Sequence, residues 1–200
     1  MPLEFRFESK KAIAAVVLLV REGVPELTKG KTAKLLFLAD KRHLVQYGRP
    51  ITGDWYAALP HGPVPSATVN MLDLLENGYL ADPDVASLAG QVGIDRRFQY
   101  PRLTLGQVTA GPEEFLSKTE VASIKTIAAE YGAKSFTELR AITHEMPAYE
   151  RAWQNRGTSQ RGTMEFEDFF EEDENAVACI KQEMMENARL RRAFPEPVWE

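Results

Sequence analysis

Residues 34–66 read KLLFLADKRHLVQYGRPITGDWYAALPHGPVPS. The stretch opens as a helix. Leu35, Leu38 and Leu44 fall on one stripe that Leu36 and Phe37 widen. Gly48-Arg49-Pro50 then forms a turn, because proline has no N–H to offer and forbids the helix to continue. Asp54 to Leu59 alternates as a short strand, with Trp55, Ala57 and Leu59 on one side and Tyr56 and Ala58 on the other. One of Trp55 and Tyr56 should therefore join the core while its neighbour reaches outward. Pro60-His61-Gly62-Pro63-Val64-Pro65 reads as a rigid turn whose prolines fix φ and preset the next helix. Ordered signals this dense indicate a fixed platform.

Upstream, Ser9 is placed to cap a helix over about residues 10–22, with Gly23 as its stop and Pro25 just beyond. Its apolar residues are nearly continuous, so it should be buried on most sides. The run from Ala12 to Val20 is nine residues long, far short of the roughly 20 a membrane span needs. The second helix starts at Thr28 or Lys31 and runs to Gln46. A third, over 66–77, should bury Val69, Leu72 and Leu75 and stop at Gly78. Residues 79–112 are the least regular. There Phe98, Tyr100, Leu103 and Leu105 mark one or two strands expected to pair with the Trp55 strand.

Two capping boxes follow. Ser117-Lys-Thr-Glu120 opens a helix to about Tyr131, and Ser135-Phe-Thr-Glu138 opens a shorter one ending near His144. Pro147 breaks the pattern, and Tyr149 to Trp153 should add a further helical turn. Residues 157–162 form a polar hinge, which divides the chain into a body, 1–158, and an extension, 159–200. Residues 165–174 hold seven acids and no base. A last helix over about 174–192 carries Val177, Ile180, Met184 and Ala188 on one face. The fold class expected is α+β, mostly α: a compact bundle of helices with a small antiparallel sheet.

Two hundred residues with a single cysteine, Cys179, exclude an internal disulfide and favour a reducing, cytoplasmic setting. The opening residues carry charges and lack a signal-peptide pattern. Net charge is −5, unevenly placed: residues 161–200 hold eleven acids and five bases. The acidic run and amphipathic helix should dock on this protein's own body or on a second copy, since Val177, Ile180 and Met184 need cover.

Gly30-Lys31-Thr32 is not a phosphate loop, because Pro25 stands where that motif needs glycine. Asp40, His43, Asp54, His61 and His144 could be read as a scattered metal or hydrolase site. No ligand spacing or nucleophile elbow supports that reading, and turn hydrogen bonding is the plainer role. No catalytic residue, metal or cofactor is expected. Lys29, Lys31, Lys34, Lys41, Arg42 and Arg49 make 29–49 basic, which raises a winged-helix DNA-binding regulator as an alternative. The competing reading is a solvated helix face, favoured by a pI near 5.4. Tyr47, Trp55 and Tyr56 are candidates for protein contact.

The run at 34–66 resembles the core signature of the Panacea domain family of SocA-like, phage-associated antitoxins. Residues 135–153, SFTELRAITHEMPAYERAW, resemble its second signature, a helix ending in Thr-His followed by an acid and a Pro-aromatic segment. The resemblance spans most of residues 10–155. It implies an antitoxin that binds a cognate toxin protein directly and turns nothing over. Its signature positions fall on Lys34, Leu35, Leu36, Ala39 and Asp40, then on Tyr47, Gly48, Pro50, Ile51, Gly53, Asp54, His61, Gly62, Pro63 and Val64. Thr143, His144 and Pro147 complete the set. Together with Trp55 and Tyr56, the residues Lys34, Asp40, Tyr47, Asp54, His61, Gly62, Pro63 and His144 are the candidates for partner binding. Phe37-Leu38 stands where an aromatic pair is common in the family, a departure that leaves packing intact.

Overall fold

The structure, a computed structural model, describes residues 3–79, 82–107, 111–171 and 174–193. Helix α1 (Ser9–Arg21) is buried from Ala12 to Leu19 because eight consecutive side chains there are apolar. It is the central rod, packed against by α2 (Lys29–Tyr47), α4 (Pro83–Ala89) and α5 (Lys118–Tyr131). Ser9 makes no cap; Glu8 holds that place without a side-chain hydrogen bond. Helix α2 starts at Thr28, whose hydroxyl accepts from the Lys31 N–H at 3.2 Å, and ends at Gly48 in the left-handed region, φ 75°. No described helix is long and apolar enough to cross a membrane.

Strand β1 (Tyr56–Leu59) turns through Pro60-His61 into β2 (Gly62–Pro65). Four of the six residues of the expected rigid turn thus form a strand. Leu59 and Gly62 close the turn, so β2 donates to β1 through Gly62 and Val64, and the Ser66 N–H continues the series to the Trp55 carbonyl at 3.1 Å. Pro63 and Pro65 fall on the alternate positions, where a missing N–H costs the ladder nothing. On its other side β1 pairs with β5 (Gly162–Thr163), giving the order β2-β1-β5. The expected pairing of the Trp55 strand with residues 98–105 is not what forms. Both edges of β1 are already taken, and β3 (Val92–Asp95) with β4 (Arg102–Leu105) makes a separate hairpin. That hairpin leans on the start of α2, where the Leu103 N–H donates to the Leu27 carbonyl at 2.7 Å.

Helix α3 (Ser66–Asn77) buries Met71 and Leu72, while Val69 and Leu75 are only half-buried, short of expectation. Both capping boxes form, at the starts of α5 and of α6 (Phe136–His144). Pro147 opens α7 (Pro147–Gln154), a longer helix than the single turn anticipated. Beyond the hinge, a 3-10 turn, Phe166–Phe170, seats Phe169 against Phe37 and Tyr56, with ring centroids 5.3 and 5.7 Å away. The segment after residue 158 therefore contributes to the same core as the body. Helix α8 (Glu174–Ala193) lays Ala176, Val177 and Ile180 on that body, and Lys181 pairs with Glu167 at 3.0 Å. The side chains of Met184 and Ala188, also expected on this face, lie outside the described residues.

Phe169 is 1 % exposed, so Phe169→Ala should cost about 3–5 kcal/mol. Deleting residues 174–200 should cost less than that single change, because the described α8 contacts, Ala176, Val177 and Ile180, are only half-buried. Urea denaturation of both variants checks the order, and a larger loss from the deletion would contradict it.

Candidate functional site

Asp40, midway along α2 and 0 % exposed, is the anchor of the 48–56 segment. Its carboxylate accepts from the Ile51 N–H (2.8 Å), the Thr52 N–H (3.0 Å), the Thr52 hydroxyl and the Tyr56 hydroxyl (2.9 Å). Burial pushes its carboxyl up to about 6, against the pull of these donors. Gly53 sits at φ 62°, and a Cβ there would lie 2.1 Å from the Arg6 carbonyl oxygen. Only glycine lets the N-terminal arm cross this turn, where the Glu8 N–H meets the Thr52 carbonyl at 2.9 Å.

Asp54 performs the cap that Pro65 cannot. It accepts from the Ala67 N–H (3.0 Å), the Thr68 N–H (2.7 Å) and the Thr68 hydroxyl (2.7 Å), filling the donors at the start of α3. Burial raises its carboxyl as well, with the Thr68 donors opposing.

Lys34 is 1 % exposed, and its Nζ donates to the Pro63 carbonyl at 2.8 Å. Among the described residues no carboxylate pairs with it. Burial, with Arg140 adding to the effect, lowers its amine to about 7. Gly62, at φ 99°, permits the contact: a Cβ would meet Lys34 Cε at 2.9 Å, Thr143 Oγ1 at 3.1 Å and His144 Cδ2 at 3.3 Å. The His-Gly-Pro turn and the Thr-His helix end, some eighty residues apart in sequence, therefore pack on each other. His144 stacks on Tyr149 with centroids 4.3 Å apart, and Tyr149 stacks on Trp153 at 6.1 Å. The Tyr149 hydroxyl donates to the Leu59 carbonyl at 2.9 Å, tying α7 to β1. His144 is held below the usual imidazole range by burial, then by Arg140, Lys34 and His61. Its Nε2 is buried without a hydrogen-bond partner among the described residues. A groove of about 620 Å³ opens here, lined by Pro60, Arg140, His144, Tyr149 and Trp153 among others.

The expected residues thus sort into three places. Lys34, His61, Gly62, Pro63 and His144 come together where the turn meets α6, beside the groove that His144 lines, with His61 exposed at the turn. Asp40, Tyr56 and Asp54 form the buried brace behind it. Trp55 and Tyr47 stand apart, 50 % and 43 % exposed, the first under the Arg161 guanidinium at 4.4 Å and the second against His43 at 4.7 Å. The strand alternation divided Trp55 and Tyr56 as expected. Sequence reasoning missed Arg140, Tyr149 and Trp153. Their spacing carried a signal, since Arg140 with His144 and Tyr149 with Trp153 each lie one helical turn apart.

The lysine face of α2 was expected to be solvated, and this needs correction. Lys31 and Lys34 are both buried: the Lys34 Nζ donates to Pro63 of β2, and the Lys31 Nζ donates to the Pro25 carbonyl at 2.6 Å. Lys29 pairs with Asp73 and Glu76, Lys41 with Glu171, and Arg49 with Glu120. A basic stripe consumed in this way offers phosphates little. Asp40 and His43 do not converge on a metal: His43 Nδ1 faces the Arg49 carbonyl at 2.7 Å and Nε2 the Thr119 hydroxyl at 3.1 Å. Among the described residues no three His, Cys, Asp or Glu side chains form a group that could hold one.

Because the native amine of Lys34 releases its proton near pH 7 and the unfolded one near 10.5, the unfolded chain binds the extra proton between those values. Stability attributable to Lys34 therefore rises with pH across that window. Lys34→Met should hold its greatest advantage over the parent chain near pH 7 and lose it toward pH 10, by up to ~1.4 kcal/mol per unit. A stability difference that stays constant from pH 7 to 10 in urea titrations would contradict this.

Searches of curated proteins and of solved structures give no match. A family model described as the SocA-like antitoxin, Panacea domain matches residues 33–154, a span that holds both signatures, the β1–β2 hairpin and the groove they build. The chain belongs to the SocA-like antitoxin, Panacea domain family.

Proposed function

We propose that this chain neutralises a cognate toxin protein by direct stoichiometric binding, through the face built by the β1–β2 turn and the ends of α6 and α7. Family membership suggests a toxin–antitoxin role and a non-enzymatic one. The observation that carries the reading is the packing of the two signatures on each other: Gly62 from the first lies against Thr143 and His144 from the second, and Pro60 faces Arg140 and His144 across one groove. Asp40, Asp54, Tyr56 and Lys34 are inside, where they can shape a surface and not touch a partner. They act as positioning residues, and His61 and Trp55 as exposed contacts.

A face held by buried hydrogen bonds loses little conformational freedom on binding, which favours tight capture. The two buried carboxylates are committed to backbone and hydroxyl donors and do not line the groove, so neither is placed as an acid or base for a substrate bound there. In this reading the body, 1–158, carries the binding activity, and the segment after it braces the sheet and core from behind. The other partner in this reading is a second copy of the chain, met through α8.

Co-expression with the adjacent open reading frame tests the proposal. That neighbour should arrest growth when expressed alone, and this chain should restore growth. A harmless neighbour, or a toxic one that remains lethal beside this chain, would contradict it.

A further inference from the structure

Side-chain donors hold the carbonyls of the β1–β2 turn: Tyr149 holds that of Leu59, Lys34 that of Pro63, and Arg140, more loosely at 3.4 Å, that of Pro60. The remaining contact is the imidazole of His144, which lies against Gly62 in the same small space that Lys34 Cε enters. Its ring stacks on Tyr149, and its Nε2 is buried with no hydrogen-bond partner among the described residues. A neutral imidazole tolerates this place, because its one proton can sit on Nδ1 and leave Nε2 bare. An imidazolium carries a proton on both nitrogens, so its Nε2–H would be buried unpaired. The titratable and charged groups around it come from every neighbouring element: Lys34 from α2, His61 from the turn, Arg140 and Glu145 from α6, Tyr149 and Glu150 from α7. Burial first, and then Arg140, Lys34 and His61, disfavour the charge. Glu145 and Glu150 are exposed, where water and salt screen what they could offset.

We propose that His144 is a proton-operated latch: neutral, it holds the end of α6 on the β1–β2 turn, and as the imidazolium it lets go, so that the toxin-binding face loses its shape in acid. The joint for this movement is short. Helix α6 ends at His144 and α7 begins at Pro147, which leaves Glu145 and Met146 between them. His144 is harder to protonate in the folded chain than in the unfolded one. The latch therefore holds fully above the ordinary imidazole value of 6.5 and weakens as pH falls through the displaced one. Lys34, whose amine releases its proton at about 7, is charged over most of that range and adds to the repulsion. Asp40 and Asp54 are shifted the other way, so acid steadies the brace behind the turn while the latch opens. The loss is local. Its link to toxin capture rests on the binding reading above; the movement itself does not.

The full chain, free in solution, is titrated from about pH 7.5 to about pH 5, across the histidine range. NMR follows the His144 ring and the hydrogen-exchange protection factors of the Gly62 and Val64 amides. His144 should titrate below 6.5, and protection should fall with it, about tenfold for every pH unit by which it is displaced. His144→Gln should abolish that step, and His61→Gln should keep it. A His144 that titrates at or above 6.5, protection that stays constant while it titrates, or the same step in a folded His144→Gln would overturn the latch. The first two readings need only the parent chain, so a His144→Gln that does not fold leaves the test intact. The same titration on the complex with the polypeptide from the adjacent open reading frame reads the coupling. There His144 should titrate lower still, because a partner that needs the latch closed opposes its proton. An equal or higher value in the complex would overturn the coupling and leave the latch standing. If no complex forms, the toxin-binding reading fails and takes the coupling with it, while the free chain still decides the latch.

Discussion

One buried carboxylate holds the platform in place. Asp40 gathers two backbone N–H groups and two hydroxyls from the 51–56 segment onto the middle of α2. Its carboxyl stands at about 6 instead of the usual 3.8, which corresponds to a cost of about 3 kcal/mol at neutral pH. Unlike a paired surface acid, it favours folding more as pH falls from about 6 toward 4, because the native state then holds the proton that the unfolded chain lacks. What the chain obtains in exchange is a single arrangement of the turn. Removing the carboxylate would strand four donors in a dry interior, each an expensive loss.

From that anchor the order of construction is short. With 51–56 fixed, β1 runs with Tyr56 inward, packed against Phe37 and Phe169, and Trp55 outward. Asp54, now in place, caps α3 from outside the helix. The two-residue turn returns the chain as β2, whose Pro63 carbonyl is tied down by Lys34. Gly62, lacking a side chain, leaves room for Thr143 and His144 to close over it. Each step uses a polar group buried for geometry, so the outer face comes preformed. A preformed face is what the proposed capture of a toxin requires.

Much of this was legible because its causes are local. The capping boxes of α5 and α6, the left-handed glycines ending α2 and α3, and the opposite fates of Trp55 and Tyr56 all follow from a few neighbouring residues. The burial of Lys31 and Lys34 was not legible. A lysine at a polar helical position reads as solvated until β2 and α6 arrive from far along the chain to cover it. Strand β5 is two residues long and carries no strand pattern of its own. Phe169 and Phe170 sit within the acidic run at 165–174, where charge hid two core residues. The groove needed both signatures folded together before Arg140, Tyr149 and Trp153 could be seen as its walls.

The central claim is capture without turnover, and a titration of toxin activity tests it most directly. Increasing amounts of the purified chain are added to a fixed amount of the toxin, and the residual activity is read. Capture predicts a linear fall that ends at a fixed stoichiometric ratio, with activity recovered when the complex is dissociated. Complete and lasting inactivation by a small fraction of an equivalent would contradict it, because only a catalyst can silence many molecules in succession.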